Sequence, residues 1–163
     1  MSAPVTAYVG LGSNLDQPVT QIRSAIEELA RLPGTALGRV SSLYRSEPVG
    51  YVHQPPFVNA VVELSTVLPA RALLEALLGI EARHGRVRSF PNAPRPLDLD
   101  LLLYGDSVID EPGLQLPHPR MHERRFVLLP LEEIAPQCVI PGRGEARDWL
   151  ARTAQQRVEM IQP

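Results

Sequence analysis

An element order of β-α-β-β-α-β, with connections too short to hold a second domain, predicts a ferredoxin-like α+β sandwich. The expected architecture is one antiparallel sheet with helices on one of its faces. Residues 1–163 read as a single domain, and a chain of 163 residues can bury a sizeable core without disulfides or a structural metal. The composition agrees, since 44% hydrophobic and 21% charged residues are ordinary for a globular protein.

Each element has its own signal. The run VTAYVGL at 5–11 reads as a strand that ends at Gly12-Ser13-Asn14. A helix follows from about Asp16, with Pro18 in its first turn and Val19, Ile22, Ile26, Leu29 and Ala30 at apolar positions. Leu32-Pro33-Gly34 stops it. Val40 to Arg45 reads as a strand, and Phe57 to Val67 as a longer one in which Val58, Ala60, Val62 and Leu64 alternate. The proline-rich loop SEPVGYVHQPP joins these two. A second helix is expected from about Ala70 to His84, on the stripe Leu73, Leu74, Leu77, Leu78 and Ile80. GRVRSFPNAPRP then leads into the strand LDLDLLLYG, which reads as central, and an irregular stretch to about Arg124. FVLLPLEEIAP reads as a short buried segment and Glu145 to Val158 as a last helix.

Composition excludes several chemistries. All 16 basic residues are arginine, so no lysine is present for a Schiff base, a general base or a Walker-type phosphate contact. Any bound anion must be met by arginine, histidine or backbone N–H. A net charge of -2 argues against a surface that grips nucleic acid. The single cysteine, Cys138, has no partner for an internal disulfide. The start MSAPVTAYVG lacks the pattern of a signal peptide, and no 18-residue apolar run occurs, so a soluble cytoplasmic protein without a membrane partner is expected.

The most informative segment is Leu97 to Leu103. On a strand, Leu97, Leu99, Leu101 and Leu103 face one way while Asp98 and Asp100 face the other. Two carboxylates about 7 Å apart on one face repel unless a positive group neutralises them. Divalent magnesium does so with one or two carboxylates plus substrate phosphates. Arg86, Arg88 and Arg95 precede the pair, as suits a polyphosphate-metal complex, although simple ion pairing with the aspartates is the plainer alternative. In PHPRMHERRF, His118 could donate to a phosphate, and Arg124 and Arg125 are either phosphate groups' partners or surface charges. Glu81 falls on the stripe of the second helix, where a carboxylate is either paired with arginine or functional. Gly12-Ser13-Asn14 could bind phosphate, but reads more simply as an ordinary turn.

Taken together, AYVGLGSNL, SSLYRSEPVG, FVNAVVEL, IEARHGRVR, PRPLDLDLLLYG, LPHPRMHERRFVLLPL and EIAP span essentially the whole chain. In order and spacing they resemble the 6-hydroxymethyl-7,8-dihydropterin pyrophosphokinase family of folate biosynthesis. That resemblance implies transfer of the β,γ-pyrophosphate of ATP to the pterin hydroxymethyl group, leaving AMP. It implies that Asp98 and Asp100 hold two Mg2+ ions, that Arg86 and Arg95 sit on the phosphates, and that Arg88, Arg124, Glu81 and His118 support the nucleotide. Phe57 and Phe126 would stack on the pterin, Asn59 would read its polar edge, and Ser46, Glu47 and Val49 would line the same edge. The hydroxymethyl proton would pass to Asp98, Asp100 or water. The loop from Arg86 to Pro96 would be a mobile lid that excludes water. ATP and the pterin are the expected partners, and a monomer the expected state.

Some positions depart from the family pattern. Asn92 and Ala93 stand where an aromatic residue and a glycine are common, with Phe90 a candidate replacement. Pro96 replaces a small polar residue, Gly113 a basic one and Glu47 a frequent proline. A catalytically impaired relative that binds nucleotide or pterin without turnover is therefore the main rival. A metal-dependent nuclease would want a basic surface, and an RNA-binding module would want exposed sheet aromatics, of which a chain with 5% aromatics has few.

Overall fold

In this computed structural model the described residues are 3–15, 17–47, 54–85 and 96–161. The chain begins with strand β1 (Val5–Ser13), whose inward positions Ala7, Val9 and Leu11 are buried. Helix α1 (Pro18–Ala30) follows, opened by a proline where the missing N–H costs no hydrogen bond. Next come β2 (Thr35–Val40), β3 (Tyr44–Ser46) and β4 (Phe57–Thr66). Helix α2 (Ala70–Arg83) leads toward β5 (Asp98–Tyr104). The hairpin β6 (Ile109–Glu111) and β7 (Leu114–Leu116), the helix α3 (Arg125–Ile134), and the hairpin β8 (Val139–Ile140) and β9 (Gly144–Glu145) follow. The short helix α4 (Ala146–Ala151) and β10 (Val158–Met160) end the described chain.

The main sheet runs β10-β3-β4-β1-β5, with β2 also paired to β4, and all of its pairings are antiparallel. The α+β class expected from the sequence is therefore present, but four readings need correction. Helices cover both faces rather than one. On the first face α1 and α2 bury Ile22, Leu29, Leu73, Leu77 and Ile80 against Val9, Leu11, Val62 and Leu64. On the second, Leu128, Leu131 and Ile134 of α3 pack with Val61, Leu102 and Met121. This face was missed because Pro130 sits inside α3 and removes one i→i−4 bond, which weakens the helical signal; the buried apolar stripe holds the helix regardless.

The strand expected over Val40–Arg45 is instead a break between β2 and β3, which share one partner. Ser41 spans the break: its N–H donates to Val61 O at 3.0 Å, and its Oγ accepts from Val61 N at 2.9 Å. A hydroxyl thus replaces a ladder bond where the backbone turns aside. The helix expected over Glu145–Val158 stops at Ala151, and Val158–Met160 instead pairs with β3.

The fourth correction concerns β5, which lies at the edge of the sheet rather than at its centre. Its outer edge is met at two points: Glu81 Oε2 accepts from Leu99 N at 2.7 Å, and His118 N donates to Leu102 O at 2.9 Å. Covered this way, an edge strand carries the near-continuous leucines usual for a central one. A bulge shifts the register so that Val9 faces Leu101 but Tyr8 faces Leu103. One extra residue on β5 reverses the alternation beyond it, so Leu103 joins the second core while Leu99 and Leu101 stay in the first.

Two carboxylates fasten the helices. Glu28 of α1 accepts from Arg83 Nε at 2.9 Å and meets His84 Nε2 at 2.6 Å, tying α1 to the end of α2. Glu133 of α3 accepts from Ser42 N at 3.0 Å, Ser42 Oγ at 2.8 Å and Tyr44 Oη at 2.6 Å, tying α3 to the entry of β3.

Candidate active site

On the second sheet face α3 covers Val61 and Leu102, and the rest of that face opens into a cavity of about 880 Å³. The register lays its floor across four strands: Tyr44 pairs with Asn59, Asn59 with Gly12, and Gly12 with Asp98. Ser46, Phe57 and Asn59 line one end, Asp98, Asp100, His118 and Arg124 the other, and Phe126 at the start of α3 completes the wall. Past the β5 edge the cavity reaches the first face, where Leu74 and Leu78 of α2, with Leu101 and Leu114, add an apolar side. Strand pairing brings Ser46, Phe57, Asn59, Asp98 and Asp100 together, and the packing of α3 on the sheet adds Phe126 from 80 residues beyond Ser46.

Asp98 and Asp100 are both half-buried and line the same cavity, as the strand alternation requires. Among the described residues no group of three or more His, Cys, Asp or Glu side chains could hold a metal ion. Two carboxylates lining one cavity fit magnesium, which keeps water and phosphate oxygens for its remaining sites. They do not fit a closed structural metal site.

His118 is held by its backbone bond to β5 and by Arg143, whose Nη1 donates to His118 O at 3.0 Å. Its Nδ1 accepts from Arg120 N at 3.2 Å, which leaves the proton on Nε2, 3.9 Å from Asp100 Oδ1. Burial, and then the positive charge of Arg124, push its pKa down to about 4 against the opposing pull of Asp98. The ring is therefore a neutral donor near pH 7. The Arg124 guanidinium lies 5.6 Å from the centre of the Phe126 ring. Burial lowers its pKa and Asp100 opposes the shift, but a guanidinium remains charged.

At the other end Ser46 and Asn59 are both buried, and the Ser46 hydroxyl donates to Asn59 Oδ1 at 2.5 Å. Glu47 is exposed at the cavity rim. Glu81 is buried, lines the cavity, and holds β5 through Leu99 N–H.

Ten of the expected site residues thus surround one cavity: Ser46, Glu47, Phe57, Asn59, Glu81, Asp98, Asp100, His118, Arg124 and Phe126. Arg86, Arg88, Arg95 and Val49 lie outside the described residues, as do Phe90, Asn92 and Ala93 of the expected lid. Arg125 points elsewhere, with its Nη1 near Leu150 O and Thr153 Oγ1, both at 3.4 Å. Ser13 and Asn14 are used structurally: Ser13 Oγ donates to Pro96 O, and Asn14 Nδ2 donates to Gln54 Oε1 at 2.7 Å. Sequence reasoning missed Arg120, which lines the cavity, and Arg143, which steadies His118 from beyond α3. The first lay inside a motif already read and was findable. The second carried no local signal.

Comparison with known proteins agrees with this geometry. Residues 8–136 match the family model for 7,8-dihydro-6-hydroxymethylpterin-pyrophosphokinase (HPPK). A 2-amino-4-hydroxy-6-hydroxymethyldihydropteridine pyrophosphokinase of Pseudomonas aeruginosa is 45% identical over 154 residues, covering 94% of this chain and 95% of that one. The protein of the same name from Haemophilus influenzae is 41% identical over 159 residues, covering 98% and 99%. Among solved structures, a Plasmodium falciparum HPPK-DHPS with pterin and p-hydroxybenzoate superposes with a TM-score of 0.72 at 14% identity. That match covers 94% of this chain but 42% of the longer Plasmodium chain, and at such low identity it speaks for the fold alone. Strand order, cavity, family match and near-full-length relatives converge, and the chain belongs to the 7,8-dihydro-6-hydroxymethylpterin-pyrophosphokinase family.

Proposed function

We propose that this chain transfers the β,γ-pyrophosphate of ATP to the hydroxymethyl group of 6-hydroxymethyl-7,8-dihydropterin, in folate biosynthesis. The observation that carries the reading is a single cavity with two chemically different ends. One end, with Phe57, Phe126 and the Asn59 amide, suits a flat heteroaromatic ring with a polar edge. The other, with paired carboxylates, a neutral imidazole donor and a guanidinium, suits a triphosphate and its cations.

In the reaction the hydroxymethyl oxygen bonds to the β-phosphorus, and the bond from that phosphorus to the α–β bridging oxygen breaks. AMP leaves with the bridging oxygen, and the hydroxyl gives up its proton to Asp98, Asp100 or water. Two Mg2+ ions, held by Asp98 and Asp100, would neutralise the triphosphate and polarise its oxygens. His118 Nε2–H and Arg124 donate to phosphate oxygens, and Phe57 and Phe126 orient the pterin so that its hydroxyl lies in line. Arg86 and Arg95 would meet the phosphates, with Arg88 in a supporting role, as the family resemblance implies. Ser46, Glu47 and Val49 would serve the pterin edge, and Glu81 the nucleotide. We further propose that the chain works as a single domain, as a monomer and in the cytoplasm.

Incubation with the pterin, ATP and magnesium, followed by separation of nucleotides, tests this directly. AMP must appear in step with a pterin diphosphate, and Asp98→Ala must abolish both. ADP would mean transfer of a single phosphoryl group, and nucleotide binding without pterin-dependent turnover would leave the impaired-relative reading.

A further inference from the structure

We propose that Gly12 is a positioning residue for pterin recognition that acts through Asn59, an inference that rests on the function proposed above. Gly12 sits in the cavity floor, paired with Asn59 on β4 and with Asp98 on β5. A Cβ placed there would stand 3.2 Å from Asn59 Nδ2 and 3.9 Å from Phe57 Cδ1. The first distance is tighter than ordinary van der Waals contact, so the amide would have to move.

It has little freedom to do so. Asn59 is 5% exposed, and the 4%-exposed Ser46 holds Oδ1 from the side opposite Gly12. The amide is therefore held at its oxygen by a hydroxyl, while at its nitrogen the missing Gly12 side chain leaves the space the amide occupies. An amide meant to read a heterocycle edge must be fixed in plane and direction, because a displaced donor or acceptor forfeits most of its hydrogen bond. The glycine is required for this close approach and not for its backbone, which is ordinary strand.

Gly10 supplies the comparison. It lies two residues earlier on the same strand face, yet the atoms nearest a Cβ there belong to the Leu102 side chain, at an ordinary 3.5 Å. Steady-state constants for both substrates, measured on Gly12→Ala and Gly10→Ala, separate the two positions. Gly12→Ala should raise the pterin KM about tenfold and move the ATP KM by less than about twofold. Gly10→Ala should leave both within about twofold.

Equal rises in both KM values for Gly12→Ala would mean that the new methyl acts through Asp98 or through general loosening, and would overturn the proposal. So would an unchanged pterin KM, or the same rise in Gly10→Ala. Ser46→Ala releases the amide from its other side and must also raise the pterin KM selectively; an unchanged pterin KM there would overturn the proposal even if Gly12→Ala does not fold. A wild-type chain without pterin-dependent AMP formation would overturn the functional reading and this role with it. An active wild type with an indifferent Gly12→Ala would overturn the role alone.

Discussion

Asp98 and Asp100 were legible because a strand has a period of two, and a period of two leaves only one arrangement for Leu-Asp-Leu-Asp. Their chemistry predicts a specific variant. Asp98→Asn keeps the shape and loses the charge, so kcat/KM should fall by about 10²–10³, as when one preorganised charge contact is removed. The melting temperature should shift by less than about 3 °C, since the change is made at a half-exposed position. Paired steady-state and calorimetric measurements check both. Glu81 was open between pairing and function; its Oε2 on Leu99 N–H shows a structural duty within the cavity wall. Gly12 was read only as part of a turn, because a glycine whose role is a missing side chain carries no pattern until its neighbours across the sheet are known.

At the scale of elements, helices with an unbroken apolar stripe were readable almost to their ends, as α2 shows: Ala70–Arg83 against an expected Ala70 to His84. α3 was not, because Pro130 interrupts it and tertiary burial overrides the local preference. Glu133 explains how α3 is nonetheless fixed on the sheet. Burial alone would raise its pKa, but hydrogen bonds from Tyr44 and Ser42 outweigh this and hold it below its ordinary 4.5; the same contact and burial raise Tyr44. A carboxyl whose folded pKa is depressed contributes stability above its unfolded pKa and loses it as pH falls through the folded value. Glu133→Gln should therefore cost about 1 kcal/mol at pH 7, discounted for its exposure. Its deficit relative to the parent should shrink as pH falls from 4.5 downward. Urea unfolding of both proteins at several pH values checks this, and a deficit that stays constant with pH would contradict it. Glu28, depressed by His84 and Arg83 against its own burial, follows the same sign between α1 and α2.

For the whole molecule the α+β class was legible in the element order, whereas the second helical layer and the edge position of β5 depended on pairings that no local pattern reports. The site was legible wherever it fell on a strand or a distinctive motif. Two cores back to back on one sheet should unfold together. Leu77→Ala in the first and Leu131→Ala in the second, both fully buried, should each cost about 2–5 kcal/mol. In both variants Trp149 fluorescence and far-UV circular dichroism should report one coincident transition. An earlier Trp149 transition would mean that the α3–α4 layer melts alone. Among the described residues no helix is long and apolar enough to cross a membrane. The central claim is that one cavity holds both substrates at once, with the pterin and the nucleotide at opposite ends of its floor. Calorimetric titration of the pterin into protein saturated with magnesium and α,β-methylene-ATP, an analogue that cannot transfer, tests it most directly. One pterin should bind per chain beside the nucleotide, with Phe126→Ala weakening the pterin alone and Asp98→Ala weakening the nucleotide alone. Displacement of nucleotide by pterin, or loss of both ligands in either variant, would contradict it.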